Sequence, residues 1–319
     1  MTELKARGLW PLVLTCFAVT WFVWGSTFLA IRFAIVDIPP LLMCGIRLLL
    51  AGVILLVWAA VTRMPWPKGS EWRSAAIVGL LLPAAGNGSV TIGVGHLPSG
   101  IVALLLAMIP LWMAWLGFIG PEATTPTPRA LIGLVLGFGG IALLIGPGLA
   151  DASRAEFSPW WSLIPVMGAF SWAWGSMWSR RVRMPSSPLV STAVGMTAGG
   201  LALLLLATFA GEWPRLDLAH IGPAAWAALL YLSVFGSAIG FSAYLVLLQH
   251  VSPGKAATYA FINPVVAMAL GWAFVGEALS ARTLLASGMV VVAVALITTA
   301  PVAASRIASA GSAAAVRRP

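Results

Sequence analysis

Polar and aromatic side chains recur one helical turn apart inside stretches that are otherwise apolar. Thr20, Trp24 and Thr27 fall at intervals of four and three. Asn87 and Thr91 are four apart, as are Met108 and Trp112, Phe170 and Trp174, and Tyr259 and Asn263; Ser237, Gly240 and Tyr244 share a further run. Residues three and four apart share one face of a helix. An amide such as Asn87 or Asn263 both donates and accepts hydrogen bonds, hydroxyls add single donors, and tryptophan and tyrosine supply flat faces. Such a set can recognise a small polar or aromatic molecule. It lacks the parts for catalysis: no Ser/His/Asp or HExxH arrangement is present. Cys16 and Cys44 have no metal-binding or redox spacing. Gly137-Phe138-Gly139-Gly140 sits in an apolar run without the lysine of a phosphate loop. The expectation is therefore no enzyme, no metal and no cofactor.

The elements that carry these residues are long apolar segments. Of 319 residues, 60% are hydrophobic and 8% charged, against about 25% charged in a soluble domain. Runs such as Ile101 to Ile119 are continuous, whereas a barrel shows short alternating segments. The segments expected to span a lipid bilayer are 10–35, 39–61, 74–94, 99–120, 129–147, 159–178, 188–210, 222–248, 255–275 and 282–301. The net charge is +9, yet its distribution argues against a nucleic-acid partner. With the N-terminus inside, the outer side holds only Arg32, Arg154, Arg215 and Arg282; Arg47 lies within a span, and the remaining 13 of 18 basic residues fall inside. The positive-inside rule then puts both termini in the cytoplasm. The first segment follows Lys5 and Arg7 and runs past Trp21 and Trp24, so it reads as a first helix and not as a cleaved signal. The tail 302–319 is small, basic and Ser/Ala-rich, and disorder is expected there.

The chain also repeats itself. His96, Gly100, Pro110 and Gly117 recur as His250, Gly254, Pro264 and Gly271, each 154 residues on, and Gly86 pairs with Gly240 at the same interval. Trp24-Gly25-Ser26 recurs as Trp174-Gly175-Ser176, 150 residues on. Five apolar segments per half is an odd number, so the second half enters the membrane from the opposite side. The expected architecture is an all-α membrane protein of ten transmembrane helices in a five-plus-five inverted repeat, residues 10–147 and 159–301. Secondary transporters use this arrangement to build a midplane site reachable from either side.

These features together resemble the EamA branch of the drug/metabolite transporter superfamily. The resemblance rests on the duplication, the Trp-Gly-Ser-Thr run at 24–27, Pro98-Ser99-Gly100 opening the fourth span, Asn263-Pro264 in the ninth, and Gly276-Glu277 and Gly288 around the tenth. It covers about residues 12–300. It implies an exporter of amino acids, other metabolites or drugs, closest to bacterial inner-membrane amino-acid exporters. It further implies a cavity lined by spans one, three, four, six, eight and nine. On those spans the expected substrate-binding residues are Trp24, Thr27, Asn87, Met108, Trp112, Trp174, Tyr244, Tyr259 and Asn263. Trp24, Asn87, Trp112, Trp174 and Asn263 are expected to converge between the halves.

Each residue also has a plainer reading. Tryptophans form belts at membrane interfaces, and Trp10, Trp58, Trp72, Trp160 and Trp161 near span ends read that way. For the deeper Trp24, Trp112 and Trp174 the belt and the cavity both stand. Ser26 and Ser176, beside duplicated glycines, read as close helix crossings. Pro110 and Pro264 either free carbonyls for a ligand or merely kink their helices. Arg47 is the one charge well inside a span, which by default marks a functional site with direct substrate contact; the resemblance implies a peripheral second span, and about two turns from the outer end the side chain can instead snorkel to the interface. His96 and His250 read as caps.

No Asp or Glu falls inside a span, although coupled carriers commonly use a buried carboxylate. Uncoupled export follows as the expectation, with coupling through a histidine or Glu277 the other route. The missing negative charge also disfavours a permanently cationic drug, although aromatic faces can hold a cation. The reading is an inner-membrane exporter of small metabolites, amino acids including aromatic ones foremost, by alternating access. The alternatives are a multidrug efflux carrier and a non-transporting membrane scaffold. The partners expected are a small-molecule substrate and the lipid bilayer, with no nucleic acid and no obligate protein partner indicated.

Overall fold

The computed structural model describes residues 9–119, 127–150, 158–251 and 259–299, without the side chains of 145–150, 245, 248, 249 and 261. The tail 302–319, the basic residues Lys5, Arg7, Arg154, Lys255, Arg306, Arg317 and Arg318, the acids Asp151 and Glu156, and Gly254 lie outside the described residues.

The described residues form ten helical rods and no strand. They are α1 (Trp10–Ala34), α2 (Pro40–Val61), α3 (Ser70–His96), α4 (Ser99–Ile119), α5 (Pro128–Ala150), α6 (Pro159–Ser179), α7 (Pro188–Phe209), α8 (223–250), α9 (Tyr259–Val275) and α10 (Ala281–Thr298). Seven are long and apolar enough to cross a membrane: α1 to α4, α7, the stretch Pro223–Tyr244 of α8, and α10. Shorter apolar stretches occupy Pro128–Leu144 in α5 and Ile262–Val275 in α9. Proline starts α2, α5, α6 and α7 and the first segment of α8, where its fixed φ suits a first turn and its missing N–H costs nothing.

The main packing runs between the halves. α7 lies along α2 and α3, α10 along α5, α6 on α3 and α4, α9 on α1 and α4, and α8 on α1 and α2. Small residues permit this. A Cβ on Gly52 would sit 2.8 Å from the Thr197 backbone nitrogen, and one on Gly200 2.7 Å from that of Leu49. In an apolar solvent such close backbone approach is what drives helices together. The duplicated Gly-Ser pairs mark crossings as expected. A Cβ on Gly25 would meet Val266 of α9 at 2.7 Å, and one on Gly175 would meet Leu81 of α3 at 2.7 Å.

Four rods are not regular. α1 carries a π-helical segment at Val19–Val23, α3 one at Leu80–Asn87 and α8 one at Leu232–Ile239. α4 breaks at Ala107–Met108 ahead of Pro110, between helices Ser99–Leu106 and Ile109–Ile119. A π turn loosens the hydrogen-bond ladder, and Pro110 cannot donate to the carbonyl four residues back, that of Leu106. These irregular turns lie near the middle of their rods, and π turns are frequent at functional sites.

Candidate functional site

The irregular segments border a small central cavity of about 50 Å³. Its walls come from α1 (Trp24, Thr27, Phe28, Ile31), α2 (Arg47), α3 (Asn87, Val90), α4 (Leu106, Ile109), α6 (Trp172), α8 (Phe241) and α9 (Tyr259, Asn263). Both halves contribute.

Trp24 is the hub. Its indole Nε1 donates to the Gly236 carbonyl at 3.0 Å, inside the π segment of α8. Its ring meets Tyr259 edge-on at 4.9 Å between centroids, Phe241 at 5.3 Å and Tyr244 at 5.4 Å. Gly240 makes room for it, since a Cβ there would lie 3.0 Å from Cδ1 of Trp24. The mirror contact is made by Trp172 of α6, which covers Gly86 so closely that a Cβ would lie 2.5 Å from its ring. The Asn263 amide is ringed by carbonyls, those of Trp21 at 3.0 Å and of Thr20 and Tyr259 at 3.3 Å, which assigns its nitrogen and not its oxygen to that side. It therefore ties α9 to the π segment of α1 and turns its oxygen away from those carbonyls. Thr27 spends its hydroxyl on the Trp24 carbonyl at 2.6 Å.

A second space of about 320 Å³ adjoins the cavity, lined by α3, α4, α6, α7 and α8. It reaches Arg180 and Met184 at the α6–α7 turn, on the face where α1 begins. Trp172 and Phe241 line both spaces. Their rings lie 5.8 Å apart and form the partition between them.

On the opposite face, carboxylates of one half cap helix starts of the other, beside a surface cleft of about 560 Å³ lined by Leu41, His96, Trp161 and Glu212. Glu212, which is buried, accepts from the Leu41 and Leu42 backbone N–H groups of α2 at 3.2 and 2.9 Å. Glu277 accepts from the Ser99 N–H and hydroxyl of α4 at 2.7 and 2.9 Å. Asp37 accepts from the Gly222 N–H ahead of α8 at 2.9 Å. A carboxylate on free N–H groups at a helix start meets the positive end of the helix dipole. Gly211 and Gly276, each at positive φ, end the preceding helices and deliver Glu212 and Glu277 to these positions. His96 stacks on Trp161 of α6 at 3.5 Å, joining the halves on the same face instead of capping. His250 bonds the Val246 carbonyl of its own helix, as a cap does.

Of the expected site residues, Trp24, Thr27, Asn87, Tyr259 and Asn263 line the central cavity. Tyr244 lines the adjoining space and touches Trp24 and Tyr259. Three lie elsewhere. Met108 is packed in the core. Trp112 is enclosed by Phe138, Phe170 and Trp115. Trp174 is 50% exposed on the outside of α6. So Trp24, Asn87 and Asn263 converge on the cavity, while Trp112 and Trp174 do not.

The Trp174 position has a physical reason. α1 inserts a π segment just before Trp24, whereas α6 is unbroken through the matching stretch. The shared motif is therefore not set at the same angle in the two helices, and the tryptophan that faces a glycine in α6 is Trp172, 148 residues after Trp24.

Of the two readings of Arg47, the structure excludes the interfacial one. The side chain does not snorkel: it is 2% exposed and donates from Nε to the Ser237 hydroxyl at 2.9 Å. Its charge is built into the cavity wall. The sequence signal was present, since a lone charge deep in an apolar run marks a functional site by default.

The comparisons with known proteins agree with this geometry. The model of the EamA-like transporter family matches twice, over residues 11–146 and 159–299. The chain is 36% identical over 300 residues to the "Uncharacterized inner membrane transporter YedA" of Escherichia coli, covering 92% of this chain and 93% of that one. It is 28% identical to a WAT1-related chloroplastic protein of Arabidopsis thaliana over 86% of this chain and 67% of that one. It is 26% identical to the "Uncharacterized transporter YvbV" of Bacillus subtilis over 87% and 88%. A protein of known crystal structure shares the fold at a TM-score of 0.59, with 20% identity over 90% of this chain and 96% of that one. By its doubled match to the family model and by its full-length likeness to YedA, the chain belongs to the EamA-like transporter family.

Proposed function

We propose that this membrane transporter exports small metabolites, amino acids including aromatic ones foremost, by alternating access. One observation carries the reading. A small aromatic and amide-lined cavity lies between the halves, with inter-half carboxylate caps on one face and an adjoining space of about 320 Å³ towards the other. All ten rods cross the bilayer in this reading, as two inverted sets of five, with both termini cytoplasmic. The wider space then opens to the cytoplasm, where the cargo is made, and the capped face is the exit. Maleimide labelling of a cysteine at position 186 from the cytoplasmic side alone supports that orientation.

The driving force in this reading is the cargo's own gradient. Of the described acids, Asp37, Glu212, Asp217 and Glu277 lie in the loops of the capped face and Glu71 starts α3 at the other. None lines the cavity. The test is efflux of labelled amino acids from loaded proteoliposomes, with and without an imposed pH or sodium gradient. Equal downhill rates support the reading. Uphill accumulation abolished by Glu277→Gln or His250→Ala overturns it in favour of antiport.

A further inference from the structure

Arg47 and Asn87 line the central cavity, and each carries a buried donor without a hydrogen-bond partner. The Arg47 guanidinium is fixed at Nε by Ser237 of α8, while its Nη1 is buried without a hydrogen-bond partner. Asn87 Nδ2, from the end of the π segment in α3, is buried without one as well. Gly236 leaves the room this needs, since a Cβ there would lie 3.3 Å from Nη2 of Arg47. Among the described residues no carboxylate pairs with Arg47; every described acid lies at one face or the other. Waters in a space of about 50 Å³ can satisfy the hydrogens but cannot neutralise the charge.

A buried cation without a counter-charge is strongly disfavoured unless an anion visits it. Guanidinium is a flat fork of donors that matches a carboxylate, and it cannot escape by losing its proton. The rest of the wall is aromatic: Trp24, Trp172, Phe241 and Tyr259. Resting on the carrier reading above, we propose that Arg47 and Asn87 form an anion subsite of the central cavity. It takes the carboxylate of the transported molecule, with the apolar body against the aromatic wall. The substrate class is then a small carboxylate, with or without an amino group, and not a simple amine or a quaternary cation. For such a ligand to enter from the adjoining space, the Trp172–Phe241 partition must part.

The test uses the purified full chain in lipid nanodiscs and two probes that share a phenylethyl body but carry opposite charge, 3-phenylpropionate and phenethylamine. Thermal unfolding is followed as each is titrated at neutral pH. The anion raises the midpoint of the wild type in a saturable way, and the amine does not. Arg47→Gln weakens the anion's apparent affinity by about thirtyfold or more, the usual cost of removing one partner of a buried charge pair. The subsite is refuted if the amine stabilises the wild type as well as the anion does, if neither probe binds, or if Arg47→Gln leaves the anion's affinity within threefold. Should Arg47→Gln fail to fold, the two probes on the wild type decide alone. Efflux of phenylalanine is read separately. No efflux beside Arg47-dependent anion binding removes the cargo reading and keeps the subsite. Efflux unchanged in a folded Arg47→Gln chain removes the subsite and keeps the cargo reading.

Discussion

Cutting one carboxylate cap should open the face it closes. Glu212 holds two backbone N–H groups at the start of α2, those of Leu41 and Leu42. Hydrogen bonds to a charged group contribute roughly 1.5–3 kcal/mol each. In the opened state water replaces part of that, so Glu212→Ala should cost the closed conformer about 2–3 kcal/mol, nearer the loss of a strong helix cap. That shifts the closed-to-open equilibrium roughly 30- to 150-fold at 1.4 kcal/mol per decade. The assay places a cysteine at Ile31, a cavity-lining position, in a chain with Cys16 and Cys44 replaced by alanine. An impermeant maleimide applied from the capped face should label it tens of times faster in Glu212→Ala than in the parent. Glu212→Gln keeps a carbonyl acceptor and should fall between the two. Equal labelling rates in a folded, monodisperse Glu212→Ala protein would refute the idea that this cap holds the face shut.

Other substitutions separate the cavity from its surroundings. Trp172→Ala removes a wall shared by the cavity and the adjoining space, and export should fall at least tenfold, while Trp174→Ala, at a half-exposed position, should leave export within twofold; liposome flux reads both. Gly240→Ala pushes a methyl into the Trp24 ring and should destabilise the chain by about 1–3 kcal/mol, the usual cost of overpacking, with a lower unfolding midpoint and lost flux. Asn263→Ala removes the amide that faces the carbonyls of the α1 π segment, and flux should drop while the yield of folded protein stays similar.

The membrane class, the order of the rods and five cavity residues were legible in the sequence because each follows from local pattern. Long apolar runs give the rods. Spacing of three and four puts Trp24 and Thr27, or Tyr259 and Asn263, on one face. The failures share a cause: they depend on where one helix leaves regular geometry or reaches another. Trp174 shares a three-residue motif with Trp24, but only α1 has a π turn before it, so equal sequence does not give equal facing. Trp172 could have been found only by asking which tryptophan meets Gly86. Arg47 was discounted because α2 was taken as peripheral, yet a long side chain from an outer rod reaches the centre through the gap left by Gly236. The caps of Glu212 and Glu277 were hidden because a loop acid after a helix-ending glycine gives no hint of which distant helix start it will meet.

Solute counterflow tests the carrier most directly. Proteoliposomes are loaded with unlabelled phenylalanine and diluted into a trace of labelled phenylalanine. A carrier with one cavity exposed alternately to each face predicts a transient accumulation of label above the outside concentration, absent from protein-free vesicles and reduced in Trp172→Ala. Entry of label that only rises to equilibrium, or no protein-dependent entry for any amino acid tried, would contradict the account.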